Sequence, residues 1–63
     1  MSEQKRYFVW DKKEDAPICS FADLDGCYRL IENNHELYEA RLVYDNTMTV
    51  YDKDKNEIRK YKI

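Results

Sequence analysis

The chain has 63 residues and a formal net charge of −2, and 38% of its residues are charged against 43% that are hydrophobic. A length of this order supports one small domain over residues 1–63 and is too short to enclose a deep catalytic cleft. The small net charge excludes the dense acidic face of a DNA mimic and the strongly basic surface of a non-specific nucleic-acid coat. We expect the polar residues 1–4 to be disordered.

No apolar run approaches the roughly 18 residues of a membrane span, and the charged-then-apolar pattern of a signal peptide is not seen. We therefore expect a cytoplasmic protein that makes no membrane contact. In that compartment Cys19 and Cys27 are expected to be reduced thiols, whereas an oxidising compartment would allow a disulfide between them.

The first part of the chain is predicted to form two antiparallel strands. Lys5–Asp11 (KRYFVWD) has four consecutive β-forming residues, so both faces of this strand carry apolar side chains. The two faces hold these pairs: Phe8 with Trp10, and Tyr7 with Val9. A polar turn at 12–16 leads to Pro17 and the short edge strand Ile18–Ser20. One helix covers one sheet face, so one of the two pairs should be exposed or meet a partner.

Ser20–Asn34 is predicted to be the only helix. Ser20 is the expected N-cap, and Asp23 three residues later completes a capping box. Apolar residues share one stripe at helical spacing: Phe21, Leu24, Cys27, Tyr28 and Ile31. The alternative is an all-β chain, because Gly26 costs about 1 kcal/mol inside a helix and Asp25-Gly26 is a strong hairpin turn.

Three more strands are predicted after the helix: Tyr38–Tyr44, Met48–Asp52 and Glu57–Tyr61. The loop between the first two decides which side chains share a face. A three-residue loop at 45–47 pairs Leu42 with Val50 and brings the apolar residues onto one face, so we expect this loop. A two-residue Asp45-Asn46 loop would pair Leu42 with Thr49 instead.

The predicted fold class is therefore α+β, with a small antiparallel β-sheet in the order β-β-α-β-β-β and one helix packed on one face. Lys60 and Lys62 in the last strand should discourage edge-to-edge aggregation. Many unrelated small proteins share this layout, so it indicates little about function.

We expect no enzyme activity, no cofactor and no metal site. Asp52–Asn56 begins like a calcium loop but lacks the later glycine and glutamate that such a loop needs. Cys19, Cys27 and His35 do not have the spacing of zinc ligands. There is a single histidine and no glycine-rich phosphate loop.

Nine aromatic residues are more than a sheet and one helix of this size can bury, so we expect a protein-binding surface. Its predicted residues are Tyr7, Phe8, Trp10, Val43, Tyr51 and Tyr61. The expected partner is another protein, which in a homodimer would be a second copy of the chain. The acidic stretch Asp11–Glu39 is expected to attract a basic partner and to speed its association. Small acidic chains of this kind include accessory subunits and inhibitors, among them phage-encoded ones.

The alternative function is a small nucleic-acid-binding domain. It would use a basic and aromatic edge strand with Arg59, Lys60 and Lys62 as the binding residues. The acidic middle of the chain opposes this function.

Overall fold

A computed structural model describes residues 5–63, so the expected disorder of residues 1–4 lies outside the described residues. The elements are β1 (Arg6–Asp11), β2 (Ala16–Phe21), α1 (Leu24–Ile31), β3 (Tyr38–Tyr44), β4 (Thr47–Tyr51) and β5 (Glu57–Lys62). The predicted α+β class and element order are confirmed. The all-β alternative is wrong because Asp25-Gly26 lies inside α1.

The five strands form one antiparallel sheet in the order β2-β1-β3-β4-β5. β1 pairs with both β2 and β3, and α1 lies in the connection between those two strands. β2 and β5 are therefore the edges of the sheet. Lys60 and Lys62 lie on the β5 edge, as predicted.

The β3–β4 turn has two residues, not the predicted three, and it sets Leu42 opposite Thr49. Asp45 and Asn46 have φ angles of 52° and 57°, the left-handed pair that a type I′ hairpin turn requires and that Asp and Asn tolerate. This local preference overrides the period-2 pattern. Because side chains alternate along a strand, Thr49 lies on the face that holds Leu42, while Val50 points to the other face.

The core lies between α1 and one face of the sheet, which we call the helix side. Val9, Cys27, Ile31 and Ala40 are each 0% exposed and form one cluster, with Val9 directly opposite Ala40 across β1 and β3. The β1 residues on this face are therefore Tyr7 and Val9. Phe8 and Trp10 are the pair that faces away from the helix.

The helix begins later than predicted, because β2 continues through Ser20 to Phe21 and pairs these residues with β1. The N-cap is Asp23, whose Oδ1 accepts a hydrogen bond from the Gly26 backbone N–H at 2.8 Å. The helix ends at Ile31, before the predicted Asn34. The stripe from Leu24 to Ile31 faces the core as predicted, and Phe21 joins the same core from β2.

Replacing Asp23 with alanine should lower the free energy of unfolding by about 1 kcal/mol, because the Gly26 N–H loses its capping acceptor. Ser20→Ala is the matched control, since Ser20 is an exposed β2 residue and should change stability by less than about 0.5 kcal/mol. Urea denaturation followed by circular dichroism measures both. An equal loss in the two variants would contradict this assignment of the cap.

α1 has eight residues, and none of the helices within residues 5–63 combines the length and hydropathy that crossing a bilayer requires.

Candidate functional site

The sheet face opposite α1, which we call the open face, carries an extended row of large side chains. The strand residues on it are Arg6, Phe8, Trp10, Glu39, Arg41, Val43, Met48, Val50, Arg59 and Tyr61. Arg41 lies near the centre, directly opposite Phe8 on one side and Val50 on the other. Within residues 5–63, neither the helix nor any strand packs over this face.

The structure brings four of the six predicted protein-binding residues together on the open face, namely Phe8, Trp10, Val43 and Tyr61. The other two, Tyr7 and Tyr51, pack against the core on the helix side. Tyr51 is there because the two-residue turn shifts β4 by one position, which moves each of its side chains to the opposite face.

None of the nine aromatic side chains is fully buried. Tyr61 on the open face is 40% exposed and Tyr44 on the helix side is 39% exposed, while Phe8 and Trp10 are half-buried. Edge strand β2 adds Ile18, which is 48% exposed at an irregularity in the β1–β2 register. Of the nine aromatic residues, Tyr44 and Tyr61 are therefore exposed and the other seven are half-buried.

A buried arginine organises the centre of the open face. Arg41 is 6% exposed, and its Nε and Nη2 donate to Glu39 Oε2 at 2.8 and 2.5 Å. Its Nη1 donates to Tyr61 Oη at 3.2 Å and to Met48 Sδ at 3.3 Å. Strands β3, β4 and β5 are thus joined across this face by one guanidinium group.

The same guanidinium lies against the face of the Trp10 indole, with Arg41 Cζ 4.4 Å from the ring centroid. At the edge of the indole, Trp10 Nε1 donates to Asp15 Oδ1 at 3.1 Å. Contacts to both the ring and its N–H hold Trp10 in one orientation.

Charge on the open face is basic. Arg6 and Arg59 are exposed, and Arg59 Cζ lies 5.6 Å from the Tyr61 ring centroid. Glu39 is the single acidic strand residue on this face, and its carboxylate is paired with Arg41. The open face therefore offers arginines at its border without free carboxylates from the strands.

The structure divides the other charged residues named in the sequence analysis between the two faces. Lys60 and Lys62 lie on the helix side of β5, opposite Thr49 and Thr47, so they do not share a surface with Arg59. The one acidic residue of α1, Asp25, lies on the helix side, where it pairs with Lys55 at 3.0 Å. Two other residues of the acidic stretch lie at the open face: Glu39, which is opposite Trp10, and Asp15, which accepts from the Trp10 indole.

A cavity of about 190 Å³ lies on the helix side, between α1 and the β4–β5 hairpin. Three tyrosines from three elements form its walls: Tyr28, Tyr38 and Tyr51. Buried Ala40, opposite Tyr51 in the β3–β4 register, lies beneath them, and Ile58 lines the β5 side. We call this cavity the tyrosine cleft.

One wall of the tyrosine cleft is fixed by a hydrogen bond from the Tyr28 hydroxyl to the backbone carbonyl of Asp52. Burial, with the Asp52 charge nearby, raises the pKa of Tyr28 to about 12, so this hydroxyl stays protonated at neutral pH. Burial also raises the pKa of Tyr51. Backbone N–H donors, chiefly that of Asn56, lower the pKa of Asp52, whose Oδ1 accepts from the N–H groups of Asp54 and Asn56 at 2.8 and 2.9 Å.

Cys19 and Cys27 are both free thiols that pack in the helix-side core. Burial raises the pKa of the Cys27 thiol to about 11, which keeps it in the unreactive neutral form. Among residues 5–63, side chains of His, Cys, Asp and Glu do not gather in groups of three or more that could hold a metal ion.

Sequence reasoning missed both Arg41 and the tyrosine cleft. Arg41 alternates with apolar residues in β3 and resembles a solvated position, although Glu39 two residues earlier on the same face is a signal for an ion pair. The cleft has no local signal, because its walls come from α1, β3 and β4 and depend on the β3–β4 register.

Comparison of the chain with models of protein families, with curated proteins and with solved structures gives no significant match.

Proposed function

We propose that this chain is a non-catalytic interaction module that binds a larger protein through the open face, in the manner of an accessory subunit or inhibitor. The observation that carries the proposal is a sheet face over which neither α1 nor any strand of residues 5–63 packs. On this face Tyr61 is exposed and Phe8, Trp10 and Val43 are half-buried, while Met48 and Val50 are buried among their neighbours. Free thiols at both cysteines fit a reducing compartment such as the cytoplasm.

The residue types on the open face are those that dominate binding energy in protein interfaces, where tryptophan, tyrosine and arginine are the commonest hot spots. Trp10 is already oriented by Arg41 and Asp15, and Tyr61 by its hydrogen bond with Arg41. A side chain that is ordered before binding loses less conformational entropy when the complex forms.

Charge favours a different protein over a second copy of the chain. A symmetric dimer through the open face would bring the exposed Arg6 and Arg59 of both copies to the same interface. The Glu39 carboxylate is engaged by Arg41, and the Asp15 carboxylate beside Trp10 cannot by itself offset two arginines in each copy. The complementary partner surface has an apolar centre and an acidic border.

The test uses two tyrosines of nearly equal exposure on opposite faces. Tyr61→Ala on the open face should weaken partner binding about 10- to 30-fold, which corresponds to about 1.4–2 kcal/mol. Tyr44→Ala on the helix side is the matched control and should change affinity less than about threefold. The partner is isolated by affinity capture from the native host, and its dissociation constant with each folded variant is measured by calorimetry.

Retained affinity in Tyr61→Ala, or an equal loss in Tyr44→Ala, would contradict the proposed surface. Sedimentation at micromolar concentration tests the homodimer version separately. A concentration-dependent dimer that Tyr61→Ala abolishes would replace the larger partner with a second copy.

A second candidate is binding of single-stranded nucleic acid, because the open face places Arg6 and Arg59 on the same surface as Phe8, Trp10 and Tyr61. Aromatic platforms flanked by arginine bind single strands by stacking. This function requires affinity for an oligonucleotide that falls steeply with salt. A filter-binding titration at two salt concentrations distinguishes it from protein binding.

A further inference from the structure

We propose that the tyrosine cleft is a binding site for a small aromatic carboxylate, in which the ring enters the cleft and the acid group remains at its mouth. The cleft lies on the helix side of the sheet, and of the described residues that line it Glu39 alone belongs to the open face, where its carboxylate is paired with Arg41. The proposal therefore does not depend on the function proposed for the open face.

The size of the cleft limits the ligand to a single ring with a short substituent. Its volume is about 190 Å³, below the roughly 300–1,000 Å³ of pockets that hold drug-sized ligands. A nucleotide cofactor would not fit within it. The small side chain of Ala40 leaves this space open between the tyrosines.

The walls favour a flat apolar group. Tyr28, Tyr38 and Tyr51 line the cleft from three different elements. Aromatic pairs gain energy in offset or edge-to-face arrangements beyond what burial alone provides. The hydrogen bond from Tyr28 to the Asp52 carbonyl holds one wall in place before a ligand arrives. A preformed wall reduces the entropy lost on binding.

The charges around the cleft favour an anion at its mouth. Two lining residues are lysines, Lys12 and Lys53, and neither takes part in an ion pair within residues 5–63. Lys12 Nζ donates to the backbone carbonyl of His35 at 2.9 Å.

One ionised carboxylate, that of Asp52, lines the cleft; it accepts backbone N–H groups of its own turn and keeps its negative charge. Glu39 also lines the cleft, but its carboxylate is paired with Arg41. Two lysines against the Asp52 carboxylate leave a net positive charge at the mouth, which favours an incoming carboxylate. Tyrosine-lined sites elsewhere bind quaternary ammonium groups, but here two lysines oppose a cation.

Four probes separate the contributions of ring and charge. They are phenylacetate, benzyl alcohol, acetate and benzyltrimethylammonium, each titrated into ¹⁵N-labelled protein and followed by amide chemical shifts. Phenylacetate should shift the amides of Ala40 and Tyr51 saturably, with a dissociation constant of about 1 mM, as expected for a ligand of about ten heavy atoms. Benzyl alcohol should bind about tenfold more weakly, and acetate and the ammonium probe should not saturate. Absence of saturable shifts with phenylacetate, or equal affinity for benzyltrimethylammonium, would overturn the proposal.

Variants at the exposed lysines test the charge contribution without disturbing the core. Lys12→Gln combined with Lys53→Gln should weaken phenylacetate binding about tenfold and leave benzyl alcohol unchanged. Lys13→Gln, an exposed lysine of the same turn as Lys12, is the matched control and should bind as the wild type does. Unchanged phenylacetate affinity in the double variant would also overturn the proposal. Tyr61→Ala should retain full phenylacetate binding, so failure of either proposal leaves the other intact.

Discussion

Replacing Arg41 with methionine should lower the free energy of unfolding by about 3 kcal/mol, since removal of one partner from a buried ion pair leaves the other charge uncompensated. Glu39, whose side chain is 15% exposed, would lose both of its close donors. Tyr61 and Trp10 would lose their contacts with the guanidinium at the same time. A single core of this size rarely supplies more than about 3–5 kcal/mol in total. The variant should therefore be largely unfolded at moderate temperature.

A second substitution separates the uncompensated charge from the loss of packing. Glu39→Met added to Arg41→Met removes the carboxylate that the first change leaves without a partner. Replacement of both members of a buried pair by hydrophobic groups of similar volume is often neutral or stabilising. The double variant should therefore recover most of the lost stability.

Urea denaturation followed by circular dichroism measures these differences, since Trp10 fluorescence would itself respond to the loss of the stacked guanidinium. Arg29→Met is the matched control because Arg29 lies exposed on α1, and it should change stability by less than about 0.5 kcal/mol. An Arg41→Met variant as stable as this control would show that the pair with Glu39 contributes nothing to the fold.

The strands and the helix were predictable where apolar side chains recur with a single regular spacing, so that one face of the element is buried. β3 was predicted with the observed bounds, Tyr38–Tyr44, because apolar and polar residues alternate along most of it. The helix was predicted from the stripe that contains Leu24 and Ile31. Its start was wrong because Phe21 matches the helical spacing and yet belongs to β2, a coincidence that periodicity cannot resolve.

The strand register could not be predicted from hydrophobic pattern alone, because this sheet has apolar residues on both faces. The predicted register placed Leu42 and Val50 on the same face, and this prediction assumed that the other face of the sheet is polar. In the structure Val50 is 1% exposed on the open face. The conformational preference of Asp45-Asn46 for a two-residue turn therefore decided the register without loss of burial.

The candidate sites were predictable to the extent that they depended on a single strand. Phe8 and Trp10 share a face in any register, since they are two residues apart in β1. The grouping of Tyr51 depended on the turn and was wrong for that reason. The contact between Arg41 and the Trp10 ring depends on the register in which β1 pairs with β3. The sequence of β3 alone does not determine that register.

Replacing Gly26 with alanine should lower the free energy of unfolding by about 1–2 kcal/mol, although the same change at an open helix position would raise it by up to about 1 kcal/mol. Gly26 has no unusual φ angle, so its backbone does not require glycine. A Cβ at this position would lie 2.8 Å from Phe21 Cδ1 and 2.9 Å from Cγ. These atoms are close to the strand and cannot swing aside freely, so α1 and β2 would have to separate, and overpacking of this kind costs about 1–3 kcal/mol.

A double-mutant cycle with Phe21 tests whether the Phe21 ring is the reason that Gly26→Ala destabilises the protein. In a Phe21→Ala background the ring that blocks the new methyl group is gone, so Gly26→Ala should become stabilising by up to about 1 kcal/mol as helix propensity alone predicts. Sucrose in all samples keeps the weaker variants folded at the start of each urea titration. Arg29→Ala, at an exposed position of the same helix, controls for general effects of alanine in α1. If Gly26→Ala stabilises the protein with Phe21 in place, helix propensity outweighs the contact, and the close approach of α1 to β2 does not explain the glycine.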